Sequence, residues 1–590
     1  MCRLPTACLV GRWTPPGRAY VESTVLETVD CLPWRLVFVF VNSPSRPPIL
    51  LDAGALTRCR HRIRRDVVAG PQASAQPVSP GVRQRQEGAQ AQRERVRERL
   101  RSQWPGTWRT VDASARADER ARETLQACAE GIDRIWGAWL PAEPDVGRRG
   151  GVELLVRDEQ RGGYLPVIVV NHKVTDPGRG ATTSPLDSWQ PAADESHKVR
   201  SQPRDHVRLA HVTRMMQRAG IASPALLGGA IGFDADCVLV TDLSGDDGIL
   251  AQYDRRFEDR IAVARGEVPT EPSRISECAH CPWWPDCEQV LLARHDVSLV
   301  VRGAQSEALR SAGVTTIEQL ANWIGDAPDD WPGNGFADAV ICAKAWLAGV
   351  PLVRRFDAVS VARADVEVDV DMESYQEHGA YLWGTLTTID GVDHGYRPFV
   401  TWDPLPTTDE ARSFAQFWEW LMDVRATAAA DGKTFAAYCY SKMAENRWLI
   451  GSAQRFAGMP GIPALAEVQA FIASPQWVDV YEAVSSQFVC PNGKGLKKIA
   501  PIAGFSWRDA EAGGEASMGW YREAVGYDGA PDLTQRERLL EYNEDDVLAT
   551  RMLRQWMSER AVAEVPGHGD LDAAAASSGT LTEGAAETLF

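Results

Sequence analysis

The chain has 590 residues, length for two to four domains, with an ordinary apolar fraction of 44%. A formal net charge of −17 excludes a protein that coats polyanions over its whole surface. The sequence holds no apolar run of the roughly eighteen residues that a membrane-spanning helix needs, so no membrane partner is expected.

Residues 1–46 carry Pro, Cys and Trp without a period and read as an irregular extension. They lack the charged start, apolar centre and small-residue site of a secretory signal, and a cytoplasmic protein is expected. From 49 the text becomes regular. An apolar start and a turn lead into a short helix from about Ala55 that presents Cys59. A loop follows to about 88, then a charged helix to 103 in which Arg93, Arg95, Arg97, Arg99 and Arg101 form either a local basic surface or a salt-bridged solvated face. A helix is predicted over 115–125, and a hairpin from strands 151–157 and 164–174 around Gly162-Gly163. Residues 206–216 have helical spacing, 225–243 are strand-rich, and 250–266 read as an amphipathic helix.

Cys278, Cys281 and Cys287 form a Cys-x2-Cys-x5-Cys group around Pro-Trp-Trp-Pro. Three clustered thiolates need a fourth ligand, and Cys59 is the best candidate. Four thiolates fit either Zn²⁺ or a 4Fe-4S cluster. Beyond them, a helix ending at Gly313 and a helix capped by Thr315-Thr316 with Glu318 make a small helical linker, helix-hairpin-helix-like, across 293–356. Residues 328–334 mark a boundary.

A different pattern starts near Asp357. Strands are predicted over 366–372, 379–390 and 396–402, then a helix over 408–428, a strand over 435–440 and a helix over 441–449. A meander, a helix, a further strand and more helices describe a ribonuclease-H-like α/β fold. Asp371 and Glu373 share one strand face because side chains repeat every two residues. Two adjacent carboxylates are tolerable with a cation between them, and hard oxygen ligands suit Mg²⁺ or Mn²⁺. Glu445 falls one turn into the later helix. Tyr542 and Asp546, four residues apart, share a helical face. The stretch from Gly495 to Ile499 and the aromatics Phe505 and Trp507 read as base-stacking or phosphate-holding elements, with core packing the preferred role for the two aromatics. Gly432-Lys433-Thr434 lacks the upstream glycine of a P-loop, which excludes an ATPase. Residues 563–590 read as a disordered tail.

The Cys59 and Cys278-Cys281-Cys287 arrangement resembles the iron–sulfur RecB-like nucleases, in which four cysteines staple the ends of a PD-(D/E)xK core. The resemblance covers roughly residues 47–292 and implies a structural cluster. The positions matching that family's active site are Glu153, Asn171 and Lys173, with Arg208 in place of its usual Gln. Asn171 stands where an acid should hold the metal, so a degenerate site that binds nucleic acid rather than cuts it is expected. The set Asp371, Glu373, Glu445, Tyr542 and Asp546 over 357–562 resembles the tyrosine-bearing DEDD 3′–5′ exonucleases, with Glu445 where that superfamily has Asp. The combined resemblance implies a metal-dependent nuclease acting on DNA or RNA. The competing expectation is a non-catalytic iron–sulfur nucleic-acid-binding repair factor.

Overall fold

The computed structural model describes residues 48–70 and 80–571. The expected extension over 1–46, and the tail beyond 571, lie outside the described residues. Two α/β units flank a helical one, and among the described residues no helix is long and apolar enough to cross a membrane.

The first unit runs through helices α1 (Arg60–Ala69) and α2 (Pro80–Gln103), strand β1 (Trp108–Thr110), helix α3 (Ala117–Ala129), and strands β2 (Arg134–Trp139), β3 (Gly151–Arg157), β4 (Tyr164–Val169), β5 (Thr175–Pro177), β6 (Ala181–Ser184), β7 (Ala192–Asp194) and β8 (His197–Val199). Helix α4 (Pro203–Arg218), strands β9 (Leu227–Ile231) and β10 (Val238–Asp242), and helix α5 (Ile249–Arg265) complete it. Eight strands form one mixed sheet in the order β1-β2-β3-β4-β9-β10-β6-β7. The predicted hairpin is β3–β4, paired antiparallel. Its turn needs glycine: Gly163 has φ +77°, and a Cβ there would lie 2.7 Å from the Ala222 carbonyl oxygen. Strands β4 and β9 run parallel, which requires the crossover that α4 supplies. The second hairpin strand ends at Val169, five residues short of expectation, so Asn171 and Lys173 sit past its end.

One face of this sheet packs on α4 and α5 through residues such as Leu155, Ile168, Leu209 and Phe257. The other is covered by α2, whose Val96 and Leu100 meet Trp136, Leu154 and Val167. Gln84, Gln92, Val96 and Leu100 are all buried, a stripe of four-residue spacing beneath the arginines. The charged helix thus starts earlier than predicted and is half a core element.

Helices α6 (Trp284–Ala293), α7 (Ala304–Ser311), α8 (Ile317–Ala321) and α9 (Phe336–Leu347) enclose their own core of Leu291, Val297, Leu309, Ile317 and Leu320. Gly313 takes φ +83° after α7, as a helix stop demands. The capping box of α8 is closed by Gln319, not Glu318. The Gln319 amide donates to the Thr316 hydroxyl (3.3 Å) and the Thr316 amide to Gln319 Oε1 (3.1 Å). Glu318 is one position early for that role and pairs with His295 instead.

The last unit begins with strands β11 (Val353–Arg354), β12 (Val366–Tyr375), β13 (Gly379–Ile389) and β14 (Val392–Val400), helix α10 (Asp409–Ala430), strand β15 (Phe435–Cys439), and helices α11 (Lys442–Arg455) and α12 (Leu465–Ile472). Strand β16 (Trp477–Asp479), helix α13 (Val480–Gln487), strand β17 (Phe488–Val489), and helices α14 (Leu496–Ile499), α15 (Gly514–Val525) and α16 (Leu533–Glu559) follow. Its five-stranded sheet has the order β14-β13-β12-β15-β16. The β12–β13–β14 meander is antiparallel, and β15 and β16 add in parallel. The predicted end of this unit at 562 is too early. The Arg354 amide donates to the Pro566 carbonyl (2.9 Å), and Leu571 is buried with Val353 and Val489.

Strand β12 places the site. Val366, Val368 and Val370 face the core against Phe414, Phe417 and Leu421 of α10. The alternate residues Glu367, Asp369, Asp371 and Glu373 face the other way, towards α16. Arg554 of α16 is fully buried and neutralises two of these four acids. Its guanidinium donates to both Asp369 oxygens (2.8 Å each) and to Glu367 Oε2 (2.6 Å). The Tyr438 ring lies under it at 4.2 Å. Replacing Arg554 by Met would leave buried Asp369 without its cation and Glu367 with Arg363 alone. The expected cost is about 3–5 kcal/mol, read as a lowered urea midpoint for this unit. An unchanged midpoint would show that the network does not hold the fold.

Candidate metal centre

The other two acids of the stripe remain without a cation of that kind. Carboxylate oxygens of Asp371 and Glu373 on β12 and of Asp546 on α16 all lie within 4.8 Å of one another. Asp546 sits in the middle of α16, two turns before Arg554, a rise of roughly 12 Å at 1.5 Å per residue. Four strand residues from Glu367 to Asp371 span a similar distance, roughly 13 Å. Arg554 and Asp546 thus meet the same strand face of β12 from one helix, Arg554 at Glu367 and Asp369 and Asp546 at Asp371 and Glu373.

Each acid has a supporting donor. Asn543 Nδ2 donates to Asp371 Oδ2 (2.7 Å), and the Tyr396 hydroxyl donates to Asn543 Oδ1 (2.8 Å). Gly384 pairs with Asp371 across β12–β13, and a Cβ at that position would fall 1.6 Å from Asn543 Oδ1. Only glycine admits the asparagine. Trp507 Nε1 donates to Asp546 Oδ1 (2.6 Å), and the Ser517 side chain lies close enough to Glu373 to oppose the rise in its pKa. The two clips that hold Trp507 in place are the Arg508 amide and side chain on Asp545 (2.8 and 2.7 Å).

Tyr542 lies one helical turn before Asp546 and points into the same site. Lys497 Nζ donates to its hydroxyl (3.1 Å) and lies over its ring at 4.3 Å and over the Trp507 indole at 5.3 Å. Glu445 stands in the first turn of α11, 3% exposed, and its Oε2 is buried with no hydrogen-bond partner. It is outside the tight group of three but close enough that its charge raises the pKa of Asp371. Arg447 does not neutralise it; that guanidinium pairs with Glu377.

The electrostatics fit a missing positive charge. Burial, then Asp546, Glu373 and Glu445, hold Asp371 well above the usual carboxylate range. Burial, then Asp546, push Glu373 up to about 8. Burial pushes Glu445 up to about 8, and raises Asp546 against the opposing pull of Lys497 and Trp507. An all-oxygen, all-carboxylate donor set with an unpartnered buried oxygen beside it suits Mg²⁺ or Mn²⁺. Asp371, Glu373 and Asp546 would hold the ion.

The residues predicted for the first unit do not converge in this way. Glu153 is clamped by Arg208 Nη2 on both oxygens (2.8 and 2.9 Å) and by Arg93 Nε (3.2 Å). Lys173 pairs with Asp234 at 3.1 Å, and His172 with Asp205 at 2.8 Å. The space where a cation would meet Glu153 is taken by guanidinium groups. Cys59, Cys278, Cys281 and Cys287 do come together, lining one cavity with Pro272, Trp283 and Trp284. Cys59 is the residue before α1 rather than on it, and its amide donates to Glu277 Oε2 (2.6 Å). Burial pushes the Cys287 thiol up to about 11.

Two residues of the candidate centre escaped sequence reasoning, Asn543 and Arg554; Lys497 was expected only within a phosphate-holding stretch, and Trp507 as a base-stacking or core aromatic. Phe505 and Trp507 were expected in the core, yet the Trp507 indole is bonded to Asp546. The alternation Glu-Val-Asp-Val-Asp-Met-Glu carried the one usable signal, since four acids on one face call for cations.

The family model of the RNase_H superfamily matches residues 371–558, from the first acid of the stripe to beyond Arg554. This region is a ribonuclease-H-like domain, a fold of nuclease type whose members use Mg²⁺ or Mn²⁺. A search of curated proteins finds no match to the chain.

An acid whose pKa is raised on folding binds more protons folded than unfolded. The stability of the metal-free domain is therefore expected to fall as pH rises from about 5 to about 8, through the shifted range of Glu373 and Glu445. Mn²⁺ should raise the melting temperature more at the upper end of that range, where the ligands need lose fewer protons. Thermal melts at both ends, with and without Mn²⁺, check this; a metal gain independent of pH would contradict it.

Proposed function

We propose that the chain is a metal-dependent nuclease whose ribonuclease-H-like unit removes nucleotides from a 3′ end. The observation that carries this reading is the convergence of Asp371, Glu373 and Asp546, with Tyr542 one turn away on the same helix. With Mg²⁺ or Mn²⁺ bound, the ion would supply charge to the phosphoryl oxygens and acidify the attacking water. The chain's own groups do the rest. Burial, Glu373 and Asp546 hold the Tyr542 phenol far above its ordinary pKa, so it stays protonated and orients water as a hydrogen-bonding group, not as a base. Lys497, on the phenol's other side, offers an ammonium to a phosphate. Asn543 and Trp507 fix the two carboxylates they touch, so that neither rotates out of the site.

The 47–292 unit, in this reading, is a PD-(D/E)xK-like domain that has lost cutting and keeps binding. Its support is the succession α3, β2–β4, α4 and β9, with strands β5–β8 inserted before α4, and the two arginines on Glu153. The four cysteines fit a 4Fe-4S cluster better than Zn²⁺. A tetrahedral zinc with bonds of about 2.3 Å would draw its sulfurs to within roughly 4 Å of each other. These four are not among the groups whose ligand atoms lie within 4.8 Å, while a cluster bonds one thiolate at each corner. The 293–356 helices would join the two units on the nucleic acid.

End-labelled single-stranded DNA and RNA, with Mn²⁺, test the assignment. Wild type and Lys173→Ala should shorten the substrate stepwise from its 3′ end, Asp371→Asn should not, and Tyr542→Phe should lose about a hundredfold in kcat. Activity lost in Lys173→Ala and kept in Asp371→Asn would move the chemistry to the first unit. Inactivity of every form, with nucleic acid still bound, would favour a non-catalytic binding factor.

A further inference from the structure

Strands β5 to β8 make the outer edge of the first unit: β6 and β7 extend the main sheet beyond β10, and β5 pairs with β8 in a separate two-stranded extension. The loop from Gly232 to Cys237 runs next to it and leads into β10. His197 of β8 meets Asp236 and Cys237 of that loop. One ring nitrogen, one carboxylate oxygen and one sulfur lie within 4.8 Å of one another. We propose that these three side chains form a binding site for a borderline divalent cation of the zinc type, which staples the β-extension to the loop before β10.

The arrangement around His197 supports a ligand role. Asp194 Oδ2 lies 2.8 Å from His197 Nδ1. That carboxylate is itself fixed: Oδ2 accepts from the Thr183 hydroxyl (2.7 Å), and Oδ1 accepts from the Ser196 amide and hydroxyl (2.7 Å each) and the His197 amide (3.1 Å). With Nδ1 committed to Asp194, the ring presents Nε2, which faces Asp236 Oδ2 at 3.4 Å. A carboxylate that orients an imidazole and fixes its tautomer is the usual outer partner of a metal-bound histidine. Cys237, buried beside Asp236, completes a donor set of one nitrogen, one oxygen and one sulfur. That mixture selects zinc over magnesium. Half-exposed Asp236 leaves the fourth position open to water.

An imidazolium held between two carboxylates would explain Asp194 and Asp236 without any metal. In that arrangement the Cys237 thiol packs as a buried residue against the Asp236 carboxylate; in the metal site it supplies the soft donor. The staple would also have a consequence for the rest of the unit. Gln92 and Arg95 of α2 bond the Gly232 and Phe233 carbonyls, and Asp234 holds Lys173. A cation at 236–237 would stiffen the loop on which α2 is seated.

Metal analysis of the purified full-length protein tests this by difference. Wild type should hold one more equivalent of zinc than Cys237→Ser or Asp236→Asn, with iron content the same in all three. Asp236 is exposed, so Asp236→Asn carries the test if Cys237→Ser does not fold. Asp194→Asn should weaken zinc binding about 10–100-fold without abolishing it. Loading with Co²⁺ in place of zinc should add a thiolate-to-cobalt absorption band in wild type over Cys237→Ser. Equal zinc content in wild type and both ligand variants, with no difference in the cobalt spectrum, would overturn the proposal and leave His197 as an imidazolium between two acids. The measurement is independent of nuclease activity and of the metal held by the four-cysteine group.

Discussion

The buried contact between Arg554 and the pair Glu367 and Asp369 is what the candidate centre depends on. Four acids on one strand face repel each other, and the fold handles them in two ways. The inner two share the Arg554 guanidinium, which is wholly out of solvent, and Glu367 has Arg363 as a second partner. Arg363 and the Tyr438 hydroxyl add bonds to Glu367 (2.6 and 3.0 Å), which helps to offset the desolvation of so many charges. The outer two, with Asp546, keep their repulsion. Burial and mutual repulsion raise their pKa values, the condition that a bound divalent cation would relieve.

The first unit shows the opposite solution. There the strand acid Glu153 is satisfied by Arg93 and Arg208, and Lys173 is drawn off to Asp234. A carboxylate with guanidinium on both of its oxygens has no reason to bind a divalent ion. The two units touch through α2. Gln84 bonds the Tyr375 hydroxyl (3.0 Å) and the Met518 carbonyl (3.2 Å), and Gln92 bonds the Gly232 carbonyl (2.9 Å). At Gly88 a Cβ would meet Gln376 on one side (3.0 Å) and Asn171 on the other (3.1 Å). The arginine-bearing helix is thus wedged between the clamped site and the strand end that follows Glu373.

The converging side chains were legible in the sequence because their spacing is local. Asp371 and Glu373 are two apart on a strand, Tyr542 and Asp546 four apart on a helix, and both periods can be read without a structure. The supporting residues were not, since their roles depend on pairings of distant segments. Arg554 and Asp369 are 185 residues apart, Trp507 and Asp546 are 39 apart, and no periodicity links them. The same limit explains the smaller misses. The α2 stripe hides under polar glutamines, the α8 cap turns on a one-residue offset, and residues 565–571 look featureless until Val353 and Val489 give Leu571 a place to pack.

The account stands or falls on where the cation goes. A crystal of the full chain soaked in Mn²⁺, with data collected at the manganese edge, would locate it through the anomalous signal. The account predicts manganese between Asp371, Glu373 and Asp546, with Arg554 still on Asp369 and Glu367. Manganese at Glu153 and Asn171, or none at the three carboxylates, would contradict it.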